Sequence, residues 1–490
     1  MNFTGKQLIG FSQKANGQRT FQGIQATTNE VLPQVYFEAT ADEADEALNK
    51  ASAAFKVYRN LTDAQRATFL NAIAEEILAI GDMLIQTACT ESGLPEARIS
   101  GERGRTIGQI QAFAQFISNP AWKREIVDEA MPERQPLPKP RLVQHQIPLG
   151  PTVVFGASNF PLAFSVAGGD TMSALAAGCP VIFKAHPAHP NTSDLVGQAI
   201  QKAAEKTGMP DGTFSLLHAH GHEIGGYLVT HAQTKAVAFT GSYRGGKALF
   251  ELAVRREVPI PVYAEMGSIN PVYLFGDRIA SQGEALADAF SQSICMGVGQ
   301  FCTNPGLIVL LEKDKAFLNT LASKLDAMPL GTFLTAGIKD AFTHGWNTLN
   351  HHPATERLTA SEIPAPSLFC TSVQHALAHP EVLEEVFGPC TLAVMCKDLA
   401  EMISFTEQLP GQLTATIQAE PSDLAVIPEL LDEVSQKVGR MLLNGFPTGV
   451  EVSPAMVHGG PFPATSDARS TSVGTEAIYR FTRPVCWQNF

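Results

Sequence analysis

A chain of 490 residues is long enough for roughly two to four packed units and a sizeable core. Its apolar share of 44% and charged share of 17% are those of an ordinary globular protein. The net charge of −13 comes without a basic block, which argues against nucleic acid or an anionic membrane surface as a partner, since both need clustered cations.

The opening residues from Met1 are polar and lack a secretory pattern, and no run of about 18 apolar residues follows, so neither a signal nor a membrane span is expected. The Ala-rich segment 41–57 reads as an amphipathic helix with Asp42 as a candidate cap. Segments 62–89 and 101–118 continue as helices. The proline-rich stretch 119–151 reads as an irregular excursion ending in a strand over Arg141 to Ile147. From residue 151 strands and helices alternate. Strands are expected at 152–155, 181–184, 213–217, 235–239 and 262–265. Helices are expected at 162–177 (stopped by Gly178), 193–207, 222–230 and 246–255. Such β-α-β repetition builds a doubly wound parallel sheet. A second α/β stretch spans about 271–455, and 478–490 reads as a β-like tail. Eight cysteines, at 89, 179, 295, 302, 370, 390, 396 and 486, form no CxxC pair. Reduced thiols in a cytoplasm are the expected state.

Four segments carry candidate chemistry. Gly299-Gln300-Phe301-Cys302 sets a thiol among glycines that permit close approach of backbone to a ligand; a buried structural thiol is the alternative. Glu265 closes a parallel strand, where α/β sheets place ligands, and could act as a base or stand as a solvated or paired charge. Thr240-Gly241-Ser242 with Gly246 joins a strand to a helix whose start could face a pyrophosphate, although many β-α turns are glycine-rich. Asn159, in Ser158-Asn159-Phe160-Pro161, could donate to an oxyanion or simply cap a helix.

In this order and spacing, together with Phe183-Lys184, Glu385-Val386-Phe387-Gly388-Pro389 and Asn444-Gly445, the segments resemble the aldehyde dehydrogenase superfamily over essentially the whole chain. Lys184-Ala185-His186-Pro187-Ala188-His189-Pro190 and Gly459-Gly460-Pro461 are most similar to its 2,5-dioxopentanoate dehydrogenases, with NADP-preferring fatty aldehyde enzymes close behind. The resemblance implies a Rossmann-like cofactor domain (1–126 and 148–266), an α/β catalytic domain (267–470) and a small β oligomerisation element (127–147 and 471–490), hence a homodimer or homotetramer. It implies that Cys302 attacks an aldehyde to form a thioester, that Asn159 holds the oxyanion, and that Glu265 activates the hydrolytic water. Lys184 and Glu385 would bind the cofactor riboses, Phe387 would pack near the nicotinamide ribose, and Gly241, Ser242 and Gly246 would lie against the pyrophosphate. Coenzyme-A-acylating members generally lack that Glu, so hydrolysis to the free acid is expected. A non-catalytic binding protein on the same fold is the alternative from another class.

Two departures matter. Met266-Gly267-Ser268-Ile269-Asn270-Pro271 lacks the lysine common in the family at this point. Pro187 stands where NAD-selective members often place Glu, so NADP is the expected cofactor, with NAD also accepted. His186, His189 and His222 are candidate neighbours of a 2′-phosphate. Arg103 and Arg105 are candidate partners for a substrate carboxylate, and Phe160, Phe301, Phe446 and Phe462 candidate tunnel walls. His218, His220 and His222 alternate but read as solvated loop residues; no metal is expected.

Overall fold

The computed structural model describes residues 2–490. Two seven-stranded sheets organise the chain. In the first, Val262–Glu265, Ala236–Thr240, Thr152–Phe155, Val181–Lys184 and Phe214–Leu217 run parallel, and the antiparallel strands Gln7–Ile9 and Ser12–Lys14 extend one edge. In the second, Ser367–Ser372, Cys390–Cys396, Leu307–Leu311, Pro271–Leu274, Gln412–Gln418 and Val438–Leu443 are parallel, with Glu356–Arg357 antiparallel at one edge. Strands buried on both faces, such as the Thr152–Phe155 run Thr-Val-Val-Phe, explain the continuous apolar runs in the sequence. A three-stranded antiparallel sheet joins Ile126–Asp128, Leu142–Pro148 and Thr482–Gln488. Among the described residues no helix is long and apolar enough to cross a membrane.

The α/β expectation holds, with local corrections. The first helix is Ala41–Tyr58, and its cap is Thr40, not Asp42: the Thr40 hydroxyl accepts from the Glu43 N–H while Glu43 reaches back, a capping box. The helical segment expected over 62–89 is two helices, Asp63–Ile80 and Asp82–Ser92, parted at Gly81 (φ 69°). The helix expected from 101 begins at Glu96. The helix expected from Leu162 begins only at Gly169 and ends at left-handed Gly178 (φ 98°). The Leu162 and Ala163 N–H groups instead donate to Glu102 Oε1, both at 2.9 Å, which holds residues 161–168 as turns.

One helix is capped from outside itself. Pro190–Lys206 starts after His189, whose side chain caps nothing. The Asn191 and Thr192 N–H groups donate instead to the two oxygens of Glu91, each at 2.8 Å, and the Thr192 hydroxyl adds a third bond at 2.7 Å. This fixes the helix that follows the strand ending at Lys184.

Candidate functional site

The thiol is placed by an unusual turn. After the helix Gly276–Cys295, residues Gly297, Val298 and Gly299 all take left-handed backbone (φ 55°, 60° and 65°). Glycine does so freely; Val298 is strained there. A side chain on Gly299 would collide with the Gly388 backbone, its Cβ falling 2.2 Å from the carbonyl carbon. The Gly-Gln-Phe-Cys segment and the Glu-Val-Phe-Gly-Pro segment thus lock together through two glycines, and the Asn304 amide donates to Gly388 O at 3.1 Å. Gln300 is buried and pins the turn: its amide donates to Gly297 O at 3.0 Å, and its oxygen accepts from the Leu334 N–H at 3.0 Å.

Beneath the thiol lies Asn270, itself left-handed (φ 47°) and fully buried. Its amide donates to Cys302 O and Asn304 O, both at 2.9 Å, while its oxygen accepts from the Ser268 and Thr414 hydroxyls at 3.0 Å. Sequence reasoning passed over this residue. Asn is the side chain that combines ready access to left-handed backbone with donor and acceptor in one group.

Glu265 ends the edge strand of the first sheet. The segment 464–466 closes that edge: Met266 N donates to Ala464 O at 2.8 Å and Ser466 N to Ala264 O at 3.0 Å. The same loop carries His458 and Ser472. His458 Nε2 lies 2.9 Å from Glu265 Oε1 and 3.5 Å from Cys302 Sγ, and the Ser472 hydroxyl donates to Glu265 Oε2. His458 and Glu265 are buried; Cys302 is half-buried. Burial, then the neighbouring Glu265 carboxylate, push the Cys302 thiol well up. For Glu265, burial pushes upward, but His458 and the hydrogen bonds from His458, Ser472 and Cys302 outweigh it and hold the carboxyl below its usual range. A carboxylate within reach of the sulfur, held by an imidazole and a hydroxyl, can take a proton from a nucleophile. His458 was missed in the sequence because nothing marks a histidine 156 positions beyond the cysteine it faces.

Asn159 reaches the same place from the first sheet: its amide donates to Gln300 O at 2.9 Å, leaving its second N–H for another acceptor. Phe160, Phe164 and Phe301 form an apolar cluster beside it, with Phe160 edge-on to Phe301 at 5.3 Å. Arg105 lies over the Phe164 ring at 5.2 Å, its Nε and Nη2 buried without partners, and the thiol and Glu265 both feel its charge. Arg98, absent from the sequence reading, sits 4.6 Å over Phe160 and pairs with buried Glu102 at 3.0 Å. Arg103, by contrast, points away and donates to Gly81 O at 3.3 Å. Phe446 packs on Phe290 in the core of the second sheet, and Phe462 is exposed, edge-on to Tyr243; neither joins the aromatic cluster.

At the same end of the first sheet, one strand in from Glu265, the turn after Ala236–Thr240 leads into a helix. The Gly241 N–H donates to Glu265 O at 3.1 Å, and a Cβ on Gly241 would meet the Phe239 ring at 2.6 Å. Ser242 caps the helix Tyr243–Val254 by accepting from the Gly245 N–H, and a Cβ on Gly246 would meet Met266 at 2.6 Å. Packing against Phe239 and Met266 thus requires both glycines, and the helix opens with Tyr243 and Arg244. Lys184 ends its strand half-buried, and burial lowers its ammonium to about 8. Glu385 and Phe387 stand in a cleft lined also by Ser268, Gly299 and Asn304. Water reaches Glu385, yet enclosure by protein still raises its carboxyl.

The histidines divide. His189 is spoken for, Nε2 at 2.9 Å from Ala157 O and Nδ1 at 3.2 Å from the Ser193 hydroxyl, so it braces the fold. His186 stacks on it and accepts from the Ala188 N–H at 3.1 Å. His218 is no solvated loop residue: it is fully buried against the Tyr36 ring, at 4.6 Å, whereas His220 and His222 are exposed. All eight cysteines are free.

The sequence pattern of the aldehyde dehydrogenase family matches residues 12–345. The chain is 49% identical to alpha-ketoglutaric semialdehyde dehydrogenase 2 of Azospirillum brasilense, over 100% of this chain and 95% of that protein. It is 45% identical to the alpha-ketoglutaric semialdehyde dehydrogenase of Acinetobacter baylyi, over 99% and 94%. A betaine aldehyde dehydrogenase of Staphylococcus aureus, solved in complex with NAD+, superposes with a TM-score of 0.85 at 18% identity, covering 99% of this chain and 95% of that one, a likeness of fold.

Proposed function

The chain belongs to the aldehyde dehydrogenase family, and from that premise we propose that its substrate is 2,5-dioxopentanoate (alpha-ketoglutaric semialdehyde), oxidised to 2-oxoglutarate. The two relatives of high identity carry that activity in their names. The observation that carries the substrate assignment is Arg105, a buried guanidinium with two unpartnered nitrogens whose charge reaches the thiol. A substrate carboxylate would satisfy it in a bidentate pair.

In this reading Cys302 adds to the aldehyde carbon and Glu265 takes the thiol proton directly and passes it on to solvent, with His458 Nε2 donating to Glu265 Oε1 and holding the carboxylate in place. The second Asn159 N–H stabilises the oxyanion, a contribution worth roughly 10²–10³ in rate. When bound, the nicotinamide accepts the hydride. The Glu265–His458 pair then draws a proton from the water that opens the Cys302 thioester, releasing free acid. Lys184 and Glu385 would hold the ribose hydroxyls, Phe387 would pack near the nicotinamide ribose, and Gly241, Ser242 and Gly246 would border the pyrophosphate; that turn opens the helix Tyr243–Val254, whose N-terminus favours an anion. NADP is the preferred cofactor, with NAD accepted, because Pro187 supplies no carboxylate to repel a 2′-phosphate. Segments 1–126 and 148–266 form the cofactor domain, 267–470 the catalytic domain, and 127–147 with 471–490 the oligomerisation element of a dimer or tetramer. The free thiols suit a cytoplasmic setting.

Initial rates with 2,5-dioxopentanoate, succinic semialdehyde, glycolaldehyde and decanal, each with NADP and with NAD and without coenzyme A, test the assignment. The oxo-acid should give the highest kcat/KM. Replacing Arg105 by Met should raise KM for the two acids far more than for glycolaldehyde. A preference for decanal that survives in both proteins would point to the fatty-aldehyde alternative.

A further inference from the structure

Cys302, His458 and Glu265 are three different metal-binding groups, and their ligand atoms all lie within 4.8 Å of one another. We propose that these three side chains form a site for one soft divalent cation, Zn²⁺ or Cd²⁺, which binds reversibly at the catalytic centre and silences it. The effect on turnover rests on the proposed role of Cys302; the binding itself does not.

Geometry comes first. Around a tetrahedral zinc, with Zn–S about 2.3 Å and Zn–N and Zn–O about 2.0–2.1 Å, sulfur and nitrogen stand about 3.5 Å apart and nitrogen and oxygen about 3.4 Å. Cys302 Sγ and His458 Nε2 are already 3.5 Å apart; His458 Nε2 and Glu265 Oε1, at 2.9 Å, need to part only a little. Three protein ligands leave a fourth position for water.

Charge and softness agree. A thiolate beside a carboxylate is a repulsive pair, and a divalent cation neutralises both. A sulfur–nitrogen pair with a single carboxylate oxygen favours zinc and cadmium over magnesium or calcium. Binding releases the thiol proton to solvent, moves the imidazole proton from Nε2 to Nδ1, and transfers no electron. His458 Nδ1 is buried without a partner among the described residues. Resident metal sites usually give that nitrogen an acceptor, so this site is an exchangeable, inhibitory one.

The second histidine cluster does not qualify. His352 and His379 flank Glu381, but His352 Nδ1 accepts from the Ala354 N–H at 3.1 Å, which keeps the proton on Nε2.

The test uses the full chain, stripped with a chelator and carrying Cys486→Ser so that the exposed thiol is silent. Cadmium titration should produce a thiolate-to-metal ultraviolet charge-transfer band that saturates at one ion per chain. The band should vanish in Cys302→Ser and weaken by more than about tenfold in affinity in His458→Phe. Zinc should abolish aldehyde oxidation, and chelator should restore it. A wild-type chain that turns over normally but shows no such band overturns the metal site while leaving the enzymatic reading intact. A band undiminished in Cys302→Ser overturns it equally.

Discussion

At the scale of single residues, the catalytic centre sets a reluctant thiol beside the group that can relieve it. The Cys302 thiol is raised by burial and by Glu265, so at neutral pH it rests protonated. Its reactivity must climb with pH unless a neighbour removes the proton in the act. In the proposed mechanism Glu265, held in place by His458 Nε2, is that neighbour. Replacing His458 by Phe frees the carboxylate and should lower kcat/KM at neutral pH, by less than the roughly 10²–10⁴ that a general base contributes. The loss should shrink as pH rises toward the thiol's own pKa, because hydroxide then does the work. Rates of iodoacetamide alkylation against pH, in both proteins, measure this directly; parallel profiles would remove His458 from the reaction. Glu265→Gln should behave differently, giving a burst of reduced cofactor followed by slow turnover as the thioester accumulates.

Residues on the right strand ends and turns were legible in the sequence, because glycine spacing and β-α alternation mark them. Cys302, Glu265 and Asn159 do converge, the first two joined through His458 and the third through the Gln300 carbonyl. His458, Asn270, Glu102 and Arg98 were not legible. Each meets a partner distant in the chain that no local pattern names, Arg98 adding to Phe160 a local pair with Glu102. The choice between Arg103 and Arg105 shows the same limit. Two residues apart on one helix, they face different ways, and only packing decides which one meets Phe164.

At the scale of elements, two contacts between elements hold the site in shape. Glu91 supplies the cap that the helix Pro190–Lys206 lacks. Burial pushes the Glu91 carboxyl up to about 7, against the pull of its hydrogen bonds from Thr192 and Asn191. A raised folded pKa means the folded state holds the proton more tightly than the unfolded one. The associated stability is complete below about 4.5 and is lost as pH rises through about 7. Denaturant unfolding of wild type and Glu91→Gln should therefore converge or cross over that range, the wild type losing on the order of 3 kcal/mol relative to the variant. Glu91→Ala, which orphans two helix N–H groups, should cost about 2–5 kcal/mol at low pH and less as pH rises through about 7. The second contact is Gly299 against Gly388. Gly299→Ala has no space and the wrong backbone sign, so it should lower both Tm and activity, and it should do so even though the residue bears no reactive group.

At the scale of the whole molecule, the three-stranded sheet stands apart from the other two and offers an edge. Ile126 and Val127 on its outer strand are 59% and 44% exposed, and Trp487 on the opposite strand is 40% exposed. Isolated apolar side chains on a sheet edge invite pairing. Val127→Asp combined with Trp487→Asp should reduce the mass seen by light scattering to that of a smaller assembly, with the sheet signatures in circular dichroism kept. An unchanged mass would show that this edge joins no second copy of the chain.

The loop 458–472 ties Glu265 to a histidine and a serine far along the sequence. A ribosome that has released residues 1 to 310 has made the cysteine and the strand bearing Glu265, but neither His458 nor Ser472. Folding in the order of synthesis thus leaves the proposed centre of the nascent polypeptide chemically idle until the segment 458–472 has emerged.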